Sequence, residues 1–191
     1  DLVRCYGISP EQVVVIHLAA GPEFQPMKWS PDFDRVRSRY RLPDEFVLYF
    51  GTLDRRKNLP LLIRAIRELH RSGVPRALVI AGAGDSSVLA ELHTLTRDLG
   101  LMPGEDVIFT GIIEESDVPI LYNLCDLFVY PSSYEGFGLP PLEAMATGSP
   151  VVVSNASSFP ELYEGKAVLV ELGSAEALAE EIDDISRDEA K

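Results

Sequence analysis

The segment Pro131 to Val152 concentrates residue types that can do chemistry: a glutamate, two glycines one residue apart, and a second glutamate, Glu143, eight positions after the first, Glu135. Gly136 and Gly138 allow close approach of backbone to a ligand. The amides of Phe137, Gly138 and Leu139 open a helical pattern, where aligned peptide dipoles favour an anion such as a diphosphate. Glu135 stands before this cradle and Glu143 falls about two turns into the helix. The two carboxylates could thus bracket a ligand whose phosphates are flanked by hydroxyl-rich rings. Each feature taken singly has a plainer explanation, since a Gly-x-Gly is commonly a turn and a helical glutamate is commonly solvated. Their combination on one passage carries the weight.

Such loops need a frame. Short apolar runs recur at Phe46 to Phe50, Ala77 to Ala81, Val107 to Thr110, Leu127 to Tyr130, Val151 to Ser154 and Ala167 to Val170, with the near-continuous hydrophobicity of parallel strands covered on both faces. Helical patterns lie between them. Leu59, Leu62, Ile63, Ile66 and Leu69 recur at three- and four-residue spacing behind Asn58 and Pro60, a helix start. Val88 to Leu99, Ser116 to Leu124, Leu139 to Ala146 and Ala175 to Ile185 complete the set. This alternation predicts an α/β fold with a doubly wound parallel sheet, whose ligands sit beyond the carboxyl ends of the strands. The acidic stretch Glu180 to Glu189 reads as a solvated helix face and a fraying tail.

The ordered series of motifs from about Val13 to Val170 resembles the retaining GT-B glycosyltransferases of the group 1, or family 4, class. Glu135 and Glu143 match the Glu-x7-Glu signature. Phe109-Thr110-Gly111 precedes a Glu-Ser-x-x-Pro-x-Leu-Tyr helix, then come Asp126-Leu127-Phe128-Val129-Tyr130-Pro131-Ser132 and Gly148-x-Pro150-Val151-Val152, with Ser154 and Glu161 after them. The resemblance implies the Rossmann-like C-terminal half of a GT-B fold, which binds a nucleoside-diphosphate sugar. Glu135 would bind hydroxyls of the donor sugar and Glu143 the ribose hydroxyls, with Gly136, Phe137, Gly138 and Leu139 at the diphosphate. Gly51-Thr52-Leu53-Asp54-Arg55-Arg56-Lys57-Asn58 matches the basic loop, in which Lys57 and Arg56 would neutralise the diphosphate. A leaving nucleoside diphosphate gains negative charge in the transition state, so fixed cations there lower the barrier. The plainer alternative for this loop is a solvated basic turn. Gly51, Gly82 and Gly84 would line the nucleotide cleft, and Ile113 with Ile112 would wall the base, although core packing suits those isoleucines equally. Many relatives carry an arginine where this chain has Thr52. No cofactor and no metal is expected, because the basic loop and helix terminus replace one.

The 191 residues suffice for one well-cored domain, and 46 % hydrophobic with 25 % charged residues is ordinary globular composition. A formal net charge of −13 argues against a nucleic-acid partner, which calls for clustered Lys and Arg. Cys125 lies in an apolar run and reads as a buried free thiol suited to a reducing compartment. His70 and His93 fall in helical patterns and are expected at the surface; His17 lies near the linker. Asp183-Asp184 reads as a solvated face. No run approaches the roughly 18 apolar residues of a spanning helix, so a cytoplasmic domain is expected, membrane-peripheral at most in its parent protein. Residues 1–30 are assigned to a boundary or linker segment from a preceding domain and 31–191 to the nucleotide-sugar-binding domain. Val13-Val14-Val15-Ile16 is expected to be a strand belonging with the missing N-terminal GT-B domain, open to self-association or mobile without it. The alternatives are a stand-alone nucleotide or nucleotide-sugar binding module without transferase activity, and an epimerase of GT-B shape. A dehydrogenase is disfavoured, because Phe50 leads into Gly51-Thr52-Leu53-Asp54 instead of Gly-x-Gly-x-x-Gly. The donor base, sugar and acceptor are not written in these motifs.

Overall fold

A computed structural model describes residues 2–187; residue 1 and residues 188–191, which include the end of the acidic tail, lie outside the described residues. Six parallel strands form one sheet: β1 (Phe46–Phe50), β2 (Ala77–Ala81), β3 (Val107–Gly111), β4 (Leu127–Tyr130), β5 (Val151–Ser154) and β6 (Val168–Val170). Their order is β3-β2-β1-β4-β5-β6, the doubly wound Rossmann-like arrangement expected from the alternation of elements. Leu48 of β1 stands beside Val79 of β2 on one side and Phe128 of β4 on the other. The chain therefore reverses its winding between β1 and β4, and a crevice opens above their carboxyl ends.

The helices are α1 (Leu2–Tyr6), α2 (Pro31–Tyr40), α3 (Leu59–Arg71), α4 (Ser86–Asp98), α5 (Val118–Leu124), α6 (Leu139–Ala146), α7 (Phe159–Tyr163) and α8 (Ala175–Arg187). The spacing read in α3 puts Leu59, Leu62, Ile63, Ile66 and Leu69 in the core. Helix α8 packs Leu178, Ala179 and Ile182 inward and lies against α3. The helix expected from Ser116 is divided: Glu115–Asp117 form a 3-10 turn before α5, whose second residue is Pro119. Helix α2 escapes the periodicity argument because half of its residues are charged and only Phe33 and Val36 are buried.

Val13 to Ile16 does not form the expected strand. The run has no regular structure, and Val14, Val15 and Ile16 are 80, 73 and 82 % exposed. A strand exists through hydrogen bonds to a neighbour, and none of the six strands pairs with this run. The end of the segment is docked. Phe24 meets the Tyr122 ring edge-on at 5.9 Å, the Met27 amide donates to Asn123 Oδ1 at 2.8 Å, and Asn123 Nδ2 donates to the Gln25 carbonyl at 3.1 Å.

Cys125 is buried as expected, its thiol donating to the Tyr122 carbonyl at 3.2 Å, and Cys5 is exposed. His70 and His93 depart from their expected surface placement, for both are half-buried. His70 Nε2 pairs with the Arg76 carbonyl, and His93 packs its ring 4.2 Å from that of Phe109. Among the described residues no helix is long and apolar enough to cross a membrane.

Candidate functional site

Two loops leave the switch point of the sheet, one after β1 and one after β4, and they are bonded to each other. The Ser133 amide donates to the Arg56 carbonyl at 2.7 Å. In the first loop, Asp54 caps a 3-10 turn, Arg55–Lys57, by accepting from the Arg56 amide at 2.9 Å. Asn58 then adopts a left-handed conformation, φ 52°, and the chain turns into α3. This geometry sends Lys57 inward, leaving it 5 % exposed, while Arg55 reaches outward to Glu91 at 2.8 Å and Arg56 folds back on Asp54 at 3.0 Å.

The Lys57 ammonium donates to the Tyr130 hydroxyl at 2.6 Å, pairs with Glu135, and lies 4.8 Å from the centroid of the Tyr130 ring. Glu135 is thereby held from several sides. Ser132 Oγ donates to its carboxylate at 2.9 Å, its amide donates to Ser157 Oγ at 3.2 Å, and the Ser157 and Ser158 hydroxyls donate to its carbonyl at 2.7 and 3.1 Å. Burial, then the nearby Glu135 charge, pushes the Tyr130 hydroxyl well above the usual tyrosine range, which keeps Tyr130 protonated. A protonated phenol can donate as well as accept, so Tyr130 remains a neutral partner for the Lys57–Glu135 pair.

Gly138 joins this loop to α6 at φ +86°, and a Cβ there would fall 2.5 Å from the Phe159 ring. Tyr163 OH donates to the Gly138 carbonyl at 2.6 Å. Helix α6 opens Leu139-Pro140-Pro141, so Leu139 supplies the only N–H of its first three residues. Its donors toward an anion are thus Leu139 and the loop amides of Gly136, Phe137 and Gly138. Phe137 is half-buried and meets the His17 ring at 6.2 Å.

Glu143 lies farther along α6 in a different setting. It accepts from Tyr122 OH at 2.9 Å and lines a cleft of about 930 Å³ with Glu23, Phe24, Phe50 and Val118. Burial raises its carboxyl above the usual glutamate range; the Tyr122 hydrogen bond opposes the shift and the Glu23 charge adds to it.

Gly82 and Gly84 are explained by contact between two loops. The Gly51 amide donates to the Ala81 carbonyl at 3.0 Å and the Leu53 amide to the Ala83 carbonyl at 2.9 Å. A Cβ on Gly82 would lie 1.9 Å from the Gly51 carbonyl oxygen, and one on Gly84 2.2 Å from that of Leu53. Both glycines also line a cleft of about 820 Å³ with His93, Phe109, Gly111 and Ile112. Ile113, expected with Ile112 at the base wall, is instead 7 % exposed and packed in the core, whereas Ile112 is 78 % exposed. Alternation along an extended run turns one of two adjacent side chains inward.

The structure thus brings Lys57 and Glu135 together, turns Arg56 aside, and puts Glu143 in a separate cleft. Tyr122, Tyr130 and Ser132 stand within the motif series that carries the resemblance but were given no role in the site, and Ser157 and Ser158 were not singled out from the sequence.

A family model described as Glycosyl transferases group 1 matches residues 32–191. The chain belongs to the group 1 glycosyltransferase family. The Serotype-specific mannosyltransferase WbdA of Escherichia coli is 37 % identical over 85 % of this chain and 20 % of its own length. The O-antigen chain mannosyltransferase B of E. coli is 31 % identical over 95 % of this chain and 47 % of its own. Among solved structures, Anabaena Alr3699/HepE in complex with UDP and glucose superposes with a TM-score of 0.81 at 27 % identity, over 95 % of this chain and 49 % of that one. This group 1 glycosyltransferase chain spans about half or less of the length of these relatives, and its α/β sheet is that of the GT-B structures it matches.

Proposed function

We propose that this chain is the donor-binding, C-terminal half of a retaining GT-B glycosyltransferase, and that it holds a nucleoside-diphosphate sugar across the crevice above β1 and β4. The observation that carries this reading is the ion pair of Lys57 with Glu135 beside the amides that lead into α6. A cation, a carboxylate and free N–H groups converge at the switch point of the sheet, where α/β folds bind nucleotides. In this assignment the amides of Gly136 to Leu139 take phosphate oxygens and Lys57 supplies positive charge beneath them. Glu135 accepts hydrogen bonds from hydroxyls of the sugar and Glu143 from those of the ribose. Ile112, with Gly82 and Gly84 near it, forms the wall for the base. Charge that develops on the departing diphosphate is met by Lys57 and the amides, with no metal required.

The acceptor and the groups that act on it belong to a second domain outside these residues, so the chain alone binds donor without transferring sugar. A single wall supplies only part of the contacts, and its affinity is correspondingly weak. The mannosyltransferase relatives make a mannose-bearing donor the first to try, and the UDP complexes among the similar structures make a uridine donor the second. Calorimetric titration with GDP-mannose, UDP-glucose, their free diphosphates and the bare nucleosides tests the assignment. The diphosphates should bind more tightly than their nucleosides, and Lys57→Ala should weaken them. Equal affinity for a nucleoside and its diphosphate would remove the anion cradle and the reading with it.

A further inference from the structure

The loop that carries Ile112 is tied at both ends. At its start, the Gly82 amide donates to the Gly111 carbonyl at 2.9 Å. At its far end, the Glu114 amide donates to the Tyr40 hydroxyl at 3.1 Å. Between these points Ile113 is anchored in the core and Ile112 stands exposed at the cleft. Tyr40 is the last residue of α2, which lies outside the sheet and packs on α5.

Tyr40 is itself held firmly. Its hydroxyl donates to Asp117 Oδ2 at 2.9 Å, and the same carboxylate accepts from Arg35 Nη2 at 2.8 Å and Arg39 Nη1 at 3.3 Å. Arg39 also pairs with Glu114. The Asp117 side chain is fully buried. Burial alone would raise its carboxyl, yet the hydrogen bonds from Arg35 and Tyr40 leave it below the usual aspartate range. A buried carboxylate is costly unless each oxygen is satisfied. Here its satisfaction fixes a phenol whose one acceptor function is spent on the backbone of the Ile112 loop.

We propose that Tyr40 is a positioning residue for nucleobase recognition: by holding the Glu114 amide, it sets the Gly111–Glu114 backbone and with it the Ile112 wall of the cleft. This inference rests on the reading of Ile112 as the base wall. It predicts that losing one hydroxyl on α2 weakens ligands that carry a base and spares those that do not.

Tyr40→Phe keeps the ring and removes the tether. Hydrogen exchange on the unliganded protein should show the Glu114 amide exchanging about fivefold faster or more, as expected for loss of one hydrogen bond. GDP and UDP should bind about fivefold more weakly, while inorganic pyrophosphate stays within about twofold. Ile112→Ala, with the tether intact, should weaken GDP and UDP without changing exchange at Glu114. Combined with Tyr40→Phe it should give less than the sum of the two losses, because both act on one wall. If Tyr40→Phe weakens pyrophosphate as much as GDP and UDP, or leaves Glu114 exchange and nucleotide affinity unchanged, the positioning role is overturned. If the native protein binds neither GDP nor UDP, the donor reading itself fails, which is a different result from intact binding that ignores Tyr40.

Discussion

Glu135 and Glu143 share one short passage of chain but sit in opposite electrostatic settings. Glu135 is paired with a buried ammonium and reinforced by Ser132, Ser157 and Ser158. Glu143 has the Tyr122 hydroxyl, with the Glu23 charge working against its ionisation. The difference teaches that two residues of one motif can carry separate burdens. The first is built into the fold at the switch point, and its cation depends on it. The second is less compensated and left free to respond to a ligand or to pH.

The sharpest way to break this contrast is to remove the cation. Lys57→Met leaves the Glu135 carboxylate confined without its partner, and removing one member of a buried pair costs about 3 kcal/mol or more. Urea denaturation should show that loss. Lys57→Met/Glu135→Gln should recover part of it, because both charges are then gone. An unchanged denaturation midpoint for Lys57→Met would mean that the pair is incidental. Glu143→Gln, by contrast, should leave the midpoint near that of the native chain or raise it, since it relieves a carboxylate that burial disfavours.

Ligand binding should separate the two glutamates next. Glu143→Ala should weaken every ribose-bearing nucleotide about tenfold or more, the scale of a hydrogen bond to a charged acceptor. Glu135→Ala should weaken sugar-bearing donors more than the free diphosphate, because it removes the sugar contact from the first and only releases Lys57 from its partner for the second. Competition titrations with GDP-mannose and GDP read both. Equal losses for the two ligands in Glu135→Ala would end its assignment to the sugar.

A pH series sharpens the same comparison with a smaller effect. Glu143 has a raised pKa in the folded chain, so the folded state holds that proton more tightly than the unfolded chain does. Its contribution to stability is present on the acid side and is lost as pH rises through the raised value. Donor affinity runs the opposite way, because the carboxylate accepts the ribose hydrogen bonds and protonation abolishes that. Nucleotide affinity should fall several-fold on acidification, beginning above the ordinary carboxylate range of about 4.3. In Glu143→Gln that step should vanish, and a step that persists must belong to another group.

The sheet was legible in the sequence because parallel strands buried on both faces leave unbroken apolar runs, and all six begin and end within a residue of the expected bounds. Phe46 to Phe50 and Leu127 to Tyr130 agree at both ends. Helix α2 was not legible: its function is to present Arg35, Arg39 and Tyr40 to Asp117, and a helix that binds through charge has little apolar period to read. The burial of Lys57 was equally hidden, since three successive basic residues look alike until the Asp54-capped turn directs one inward and two outward. Ile112 and Ile113 are likewise indistinguishable in composition and are sorted only by which faces the core. The glycines at 82 and 84 were expected at the nucleotide cleft from the resemblance; their close approach to Gly51 and Leu53 depends on a second loop remote in sequence and is not marked in their own spacing.

The smallest effect is expected from the segment that contributes least to either glutamate. Phe24 packs on Tyr122, the partner of Glu143, and the Met27 amide and Gln25 carbonyl bond to Asn123, so the docked part of the N-terminal region begins near residue 24. Before it, Val14, Val15 and Ile16 are exposed and the contact of His17 with Phe137 is a single aromatic edge at 6.2 Å. Deleting residues 1–20 should therefore shift stability by less than about 0.5 kcal/mol, the scale of surface changes. Affinity for a nucleoside diphosphate should stay within about twofold, since the Phe137 contact near the Glu135 side is a ring edge at 6.2 Å. The longer chain should self-associate through its exposed apolar run or keep that run mobile, whereas the shortened chain should scatter light as a monomer. Thermal melts and light scattering on both chains decide the matter. Loss of cooperative unfolding on deletion would make the segment integral to the domain and move the boundary at residue 30 toward the N-terminus.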